Sequence, residues 1–130
     1  MARARLASLL GYAAGGLLTL TALFHLSGLG YVQRLAAAAG GDLKAIVPAL
    51  WLAFSVSLLV AALVAVVVAH RPEPTYWLVL LSVALAPAAA VILQVIFVGF
   101  GLPSAALLLD TVVLIAASVA LRQLSPRPAA

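Results

Sequence analysis

Asp110, His25 and Gln94 are the side chains of this sequence best equipped for chemistry, because each puts a polar group inside a long apolar stretch. Stripped of hydration there, such a group must find a partner, a cavity or a ligand. Asp110 offers a carboxyl that holds either a proton or a charge. His25 exchanges a proton near neutrality, and Gln94 both donates and accepts hydrogen bonds. Trp51 and Ser55, four residues apart and so on one helical face, add an indole N–H and a hydroxyl. These five are the candidate binding or proton-relay residues.

What the set lacks narrows the chemistry. One imidazole and one carboxylate fall short of the three protein ligands of a usual catalytic metal site. His25 and His70 belong near opposite ends of their stretches, too far apart to share one haem iron. The sequence contains no HExxH, no GxSxG and no glycine loop for phosphate, and its zero cysteines remove thiolate ligands, disulfides and cysteine nucleophiles. No cofactor or metal is expected, and an enzyme on this scaffold would need residues from another subunit.

The elements that position these groups follow from composition. With 67% hydrophobic and 8% charged residues in a chain of 130, too few polar side chains exist to cover a water-facing surface. Nine of the ten charges fall outside four apolar runs, Leu6 to Leu29, Ala45 to Ala69, Tyr76 to Phe100 and Pro103 to Leu121. At about 1.5 Å per residue each run reaches roughly 28 to 38 Å, enough for a hydrocarbon core of roughly 30 Å. In lipid these runs must be helical, since unpaired backbone groups are not tolerated there. The expected fold is therefore a single all-α integral membrane domain over residues 1–130, four transmembrane helices in an up-down-up-down bundle with short loops.

The connections fit that count. Tyr31 to Lys44 holds Arg34, Asp42, Lys44 and the Gly40-Gly41 break, with Val32 to Ala39 as a short interfacial helix. His70-Arg71-Pro72-Glu73-Pro74 reads as a proline-punctuated turn leading to Tyr76 and Trp77 at headgroup depth. Gly99-Phe100-Gly101-Leu102-Pro103 leaves almost no loop, so the last two spans form a close hairpin. Pro48 and Pro103 are expected in the first turns of their helices.

Five basic residues, Arg3, Arg5, Arg71, Arg122 and Arg127, fall on one side, against Arg34 and Lys44 on the other. That asymmetry predicts a multi-pass protein of a plasma or inner membrane with both termini cytoplasmic. The net charge of +4 then reads as topology and attraction to anionic lipid, and no nucleic-acid partner is expected. An alternative reading of Met1 to Arg5 and the run after it is a signal peptide cleaved near Ala36 to Ala39, disfavoured because the run exceeds a usual h-region.

Angular position along the first span puts Gly11, Gly15, Leu18, Ala22 and His25 on one face, with Leu9, Leu17, Leu20, Leu23 and Phe24 opposite. His25 is thereby expected to point into the bundle, and Gly11-Tyr12-Ala13-Ala14-Gly15 matches the GxxxG pattern of closely approaching helices. Pro87 leaves the Val83 carbonyl without its usual partner and predicts a kink. From the outer face, His25, Gln94 and Asp110 lie at depths of about 6, 9 and 10 Å, with Trp51 similar, so a polar layer containing a His25–Asp110 contact is expected.

Three functions fit these features. The leading one is a small membrane protein acting through helix packing, as an accessory or assembly subunit or a homo-oligomer, with the lipid bilayer as its constant partner. The second is a transporter or channel protomer using Asp110, His25 and Gln94. The third is a membrane enzyme or lipid-binding protein with an outer-leaflet pocket. In size the chain is similar to small four-helix multidrug exporters and dual-topology fluoride channels, but its first span has no acid, so the likeness stops at architecture.

Overall fold

The computed structural model describes residues 2–125; Arg127 of the charge count lies outside them. Helices α1 (Ala2–Ser27), α2 (Leu29–Ala39), α3 (Leu43–His70), α4 (Trp77–Phe97) and α5 (Leu102–Arg122) follow in order, with a single 3-10 turn, Pro74–Tyr76, before α4. Four segments, Ala2–Ser27, Leu43–His70, Pro74–Phe97 and Leu102–Arg122, are long and apolar enough to cross a membrane.

Gly28 marks the boundary between α1 and α2. Its N–H bonds the His25 carbonyl in a tight i to i−3 turn, and its dihedrals stay near helical, so the chain re-enters a helix at once through Val32 N–H to Gly28 O. The short helix therefore starts at Leu29, three residues earlier than expected. It ends at Gly40, where φ of 73° at Gly40 and 56° at Gly41 turn the chain through a conformation that favours glycine. From this turn α3 runs back along α2, which buries Val32 and Ala36.

The third expected span overshoots. Val98 and Gly99 N–H both bond the Gln94 carbonyl, and Gly99, at φ 99°, stops α4 after Phe97. Pro103 lies in the first turn of α5 as expected. Pro48 does not: α3 begins at Leu43, which moves Pro48 inside the helix. Helix α4 continues through Pro87, whose ring is buried.

Packing pairs α1 with α3, α1 with α5 and α5 with α4, while α3 and α4, consecutive in the chain, barely touch. Between α1 and α3, small residues set the separation. A Cβ on Gly11 would lie 2.7 Å from Ala69 Cβ, and one on Gly15 2.6 Å from Val66 Cγ2 and 3.1 Å from the Ala62 carbonyl. Residue 11 meets 69, 15 meets 66 and 28 meets 51, so the two helices run antiparallel. The face Gly11, Gly15, Leu18 and Ala22 is buried; Leu9, Leu20, Leu23 and Phe24 point outward.

The start of α4 is held by α5 rather than by α3. Ser118 Oγ donates to the Trp77 carbonyl at 2.7 Å, and the Arg122 guanidinium lies 5.1 Å from the Trp77 ring centre. The core runs through these contacts, from Ala14, Leu18 and Ala22 through Leu58, Ala62 and Ala65 on one side to Leu107, Leu114 and Ala117 on the other, with Leu80 and Ala84 beyond.

Candidate functional site

Where α1 gives way to α2, His25 is fixed from three directions. Its ring stacks on Trp51 with centroids 3.7 Å apart and planes 13° from parallel, and Phe54 meets it edge-on at 5.0 Å. Its Nδ1 is 2.8 Å from Ser55 Oγ. Ser55 is fully buried, and its hydroxyl lies 3.0 Å from the Trp51 carbonyl as donor. With that proton committed, the hydroxyl accepts from Nδ1–H, which puts the lone pair of the neutral imidazole on Nε2.

The backbone completes the arrangement. The break at Gly28 leaves the His25 carbonyl accessible, and Trp51 Nε1 donates to it at 2.7 Å. Gly28 makes room for the indole, since a Cβ there would sit 3.0 Å from Trp51 Cζ2. One tryptophan thus binds both the ring and the carbonyl of the same histidine. Trp51, Ser55 and Phe54 occupy consecutive turns of α3, and a one-residue shift in the α1–α3 register would separate all three from His25.

His25 lines a cavity of about 530 Å³ bounded by all four long helices, with Thr21 and Phe24 from α1, Phe54 and Ser57 from α3, Pro103 and Leu107 from α5. Helix α4 supplies the far wall, Ala86, Ala89, Ala90 and Leu93 leading to Gln94. The cavity exists because α3 and α4 stand apart. Its walls are apolar apart from the His25 ring, the Gln94 amide and the Thr21 and Ser57 hydroxyls, the pattern of a site for an apolar molecule with a few polar contacts. Ser57 spends its proton on the Phe54 carbonyl at 2.7 Å, which leaves its oxygen as an acceptor.

Asp110 is elsewhere. It lies in the α1–α5 seam, 1% exposed, and neither carboxyl oxygen has a hydrogen-bond partner among the described residues. It lines a separate space of about 230 Å³ with Leu17, Leu20, Thr21 and Phe24 of α1 and Leu102, Ala106 and Leu109 of α5. The expected His25–Asp110 contact is not formed. His25 turns toward α3 and Asp110 toward the Thr21 side of α1, because equal depth does not fix the direction in which two helices present their side chains.

The expected layer is therefore divided: His25, Trp51 and Ser55 touch, Gln94 lines the same cavity as His25, and Asp110 lies apart from them with Thr21 as its polar neighbour. Sequence reasoning missed Phe54, Thr21 and Gly28. Thr21 carried a signal, since it lies one turn before His25 and can border both spaces. Phe54, three residues after Trp51, shares its face; Gly28 had no signal beyond its type.

Farther back along α1, Tyr12 Oη and His70 Nδ1 are 3.3 Å apart, with His70 exposed at the last residue of α3. His70 sits thirteen residues along α1 from His25, about 20 Å, so the two imidazoles cannot share an iron. Among the described residues no three His, Asp or Glu side chains gather as a metal set.

Compared with known protein families, curated proteins and solved structures, the chain matches none.

Proposed function

We propose that this chain is a multi-pass membrane protein, an up-down-up-down bundle with both termini cytoplasmic, that binds an amphipathic molecule in the cavity between α3 and α4. The carrying observation is the immobilised His25 ring on the wall of an otherwise apolar cavity of about 530 Å³. That volume falls within the roughly 300 to 1,000 Å³ usual for pockets that hold a whole small ligand. An imidazole that served only to join α1 to α3 would not need a cavity beside it. Here the ring bonds Ser55 through Nδ1, and Nε2 is the nitrogen left to meet a ligand hydroxyl, with the Gln94 amide facing it from α4.

The gap between α3 and α4 supplies an entrance from the lipid phase, so the ligand class is one that already partitions into membranes. Isothermal titration of the full chain in phosphatidylcholine nanodiscs with phenylbutanol, a neutral amphipath, tests this. Native protein is expected to bind above the empty-nanodisc background, and His25→Phe or Gln94→Leu to weaken binding by about tenfold, the loss of one hydrogen bond near the upper end of its usual worth. Absence of binding, or identical affinity in both variants, would overturn the reading.

The assembly role draws support from a different feature. Helices α3 and α4 leave between them a face that a helix from a second copy or a partner subunit would cover. Native mass spectrometry from mild detergent separates the two: an obligate oligomer favours assembly, and a monomer that retains a small amphipath favours ligand binding.

A further inference from the structure

Asp110 is the feature that ligand binding at His25 and Gln94 leaves unused. Its carboxyl is 1% exposed, both oxygens lack partners among the described residues, and it lines a space of about 230 Å³ between α1 and α5. An ionised carboxylate in such surroundings costs several kcal/mol unless a positive group compensates it. Among the described residues, no lysine or arginine stands in the walls.

Building on the ligand reading above, we infer that Asp110 receives the ammonium group of an amphipathic amine whose apolar body occupies the larger cavity. Three observations specify an organic cation. Oxygen ligands are too few for a metal ion, since the walls offer the carboxylate and the Thr21 hydroxyl where hard cations take six or more oxygens. The remaining walls, Leu17, Phe24, Leu102 and Leu109, suit alkyl or aryl groups, and the Phe24 ring adds a face that attracts cations. The space is also smaller than a whole-ligand pocket, so it accommodates a head rather than a body.

The two spaces are neighbours. Thr21 and Phe24 line both, so a molecule lying across Thr21 places one end beside Asp110 and the other beside His25 and Gln94. A charge-assisted hydrogen bond from ammonium to carboxylate then supplies the missing counter-charge, while the body contributes apolar burial. The larger cavity alone would accept neutral amphipaths; Asp110 makes the site select for a positive head.

The test pairs phenylbutylamine with the near-isosteric phenylbutanol, titrated calorimetrically into the full chain in nanodiscs of zwitterionic phosphatidylcholine, with empty nanodiscs subtracted. The amine is expected to bind at least about tenfold more tightly than the alcohol, the usual worth of a hydrogen bond to a charged group. Asp110→Asn, which keeps the side-chain shape, should abolish that preference, bringing amine and alcohol to comparable affinity, and Asp110→Glu should retain it. Equal affinity for amine and alcohol in the native chain, or a preference that survives Asp110→Asn, overturns the inference while leaving the larger cavity's role intact. Amine binding without alcohol binding removes the larger cavity's role but keeps the ammonium site. Binding of neither overturns both.

Discussion

Helix α3 presents one side to α1 and another to α4, and the two sides could hardly differ more. Against α1, glycine and alanine bring backbones close enough that an added methyl would collide, and His25, Trp51 and Ser55 tie the helices by hydrogen bonds and a stacked pair. Against α4, an equally apolar surface meets almost nothing and encloses a cavity. Hydrophobicity does not distinguish the sides, since lipid tails would solvate both equally well. Shape and polar partners do, which is the rule for helices in hydrocarbon.

The same leucine inserted on each side gives the sharpest contrast. Gly11→Leu forces α1 away from Ala69 and should cost about 3 kcal/mol or more, the upper range for overpacking, seen as early loss of helicity on titration with a denaturing detergent. His25→Ala, which deletes the stack on Trp51 and the bond to Ser55, is expected to cost about 2 kcal/mol in the same titration. Trp51→Phe keeps an aromatic face against His25 but removes the indole bond to the His25 carbonyl, which retains only the Gly28 N–H, for a loss of about 1 kcal/mol. Ala89→Leu, on the cavity wall, should change stability by less than about 0.5 kcal/mol yet compete with phenylbutanol in calorimetry. Should Ala89→Leu prove as damaging as Gly11→Leu, the gap is packed in solution and the contrast between the two sides disappears.

Much of the architecture was legible in the residues. The long apolar runs with charges between them located four helices, and the small-against-bulky division of α1 told which of its faces is buried. Direction across the bundle was not: which neighbour Asp110 and His25 each turn toward depends on helix rotation, set by contacts such as Gly11 on Ala69 and Ser118 on Trp77. The separation of α3 from α4 was equally hidden, since a cavity wall and a lipid-facing surface are both written in alanine, valine and leucine. Trp51 and Ser55 were recognisable as one face, and only the register of α1 against α3 adds His25 to them.

The turn at Gly40 and Gly41 gives the molecule two heights. From Ala2 to Ala39 the α1–α2 path measures about 57 Å and α3 about 42 Å, whereas α4 and α5 are each about 32 Å. A bilayer with a hydrocarbon thickness of roughly 30 Å matches the short pair and leaves the long pair mismatched. Embedded there, the long hairpin would tilt or carry its tip, where exposed Tyr31, Leu35 and Ile46 alternate with exposed Arg34, Asp42 and Lys44, past the end of its companions. In such a bilayer, tilt of α3 against an upright α4 would change the width of the opening between them, and acyl-chain length would then act as a mechanical input to the pocket.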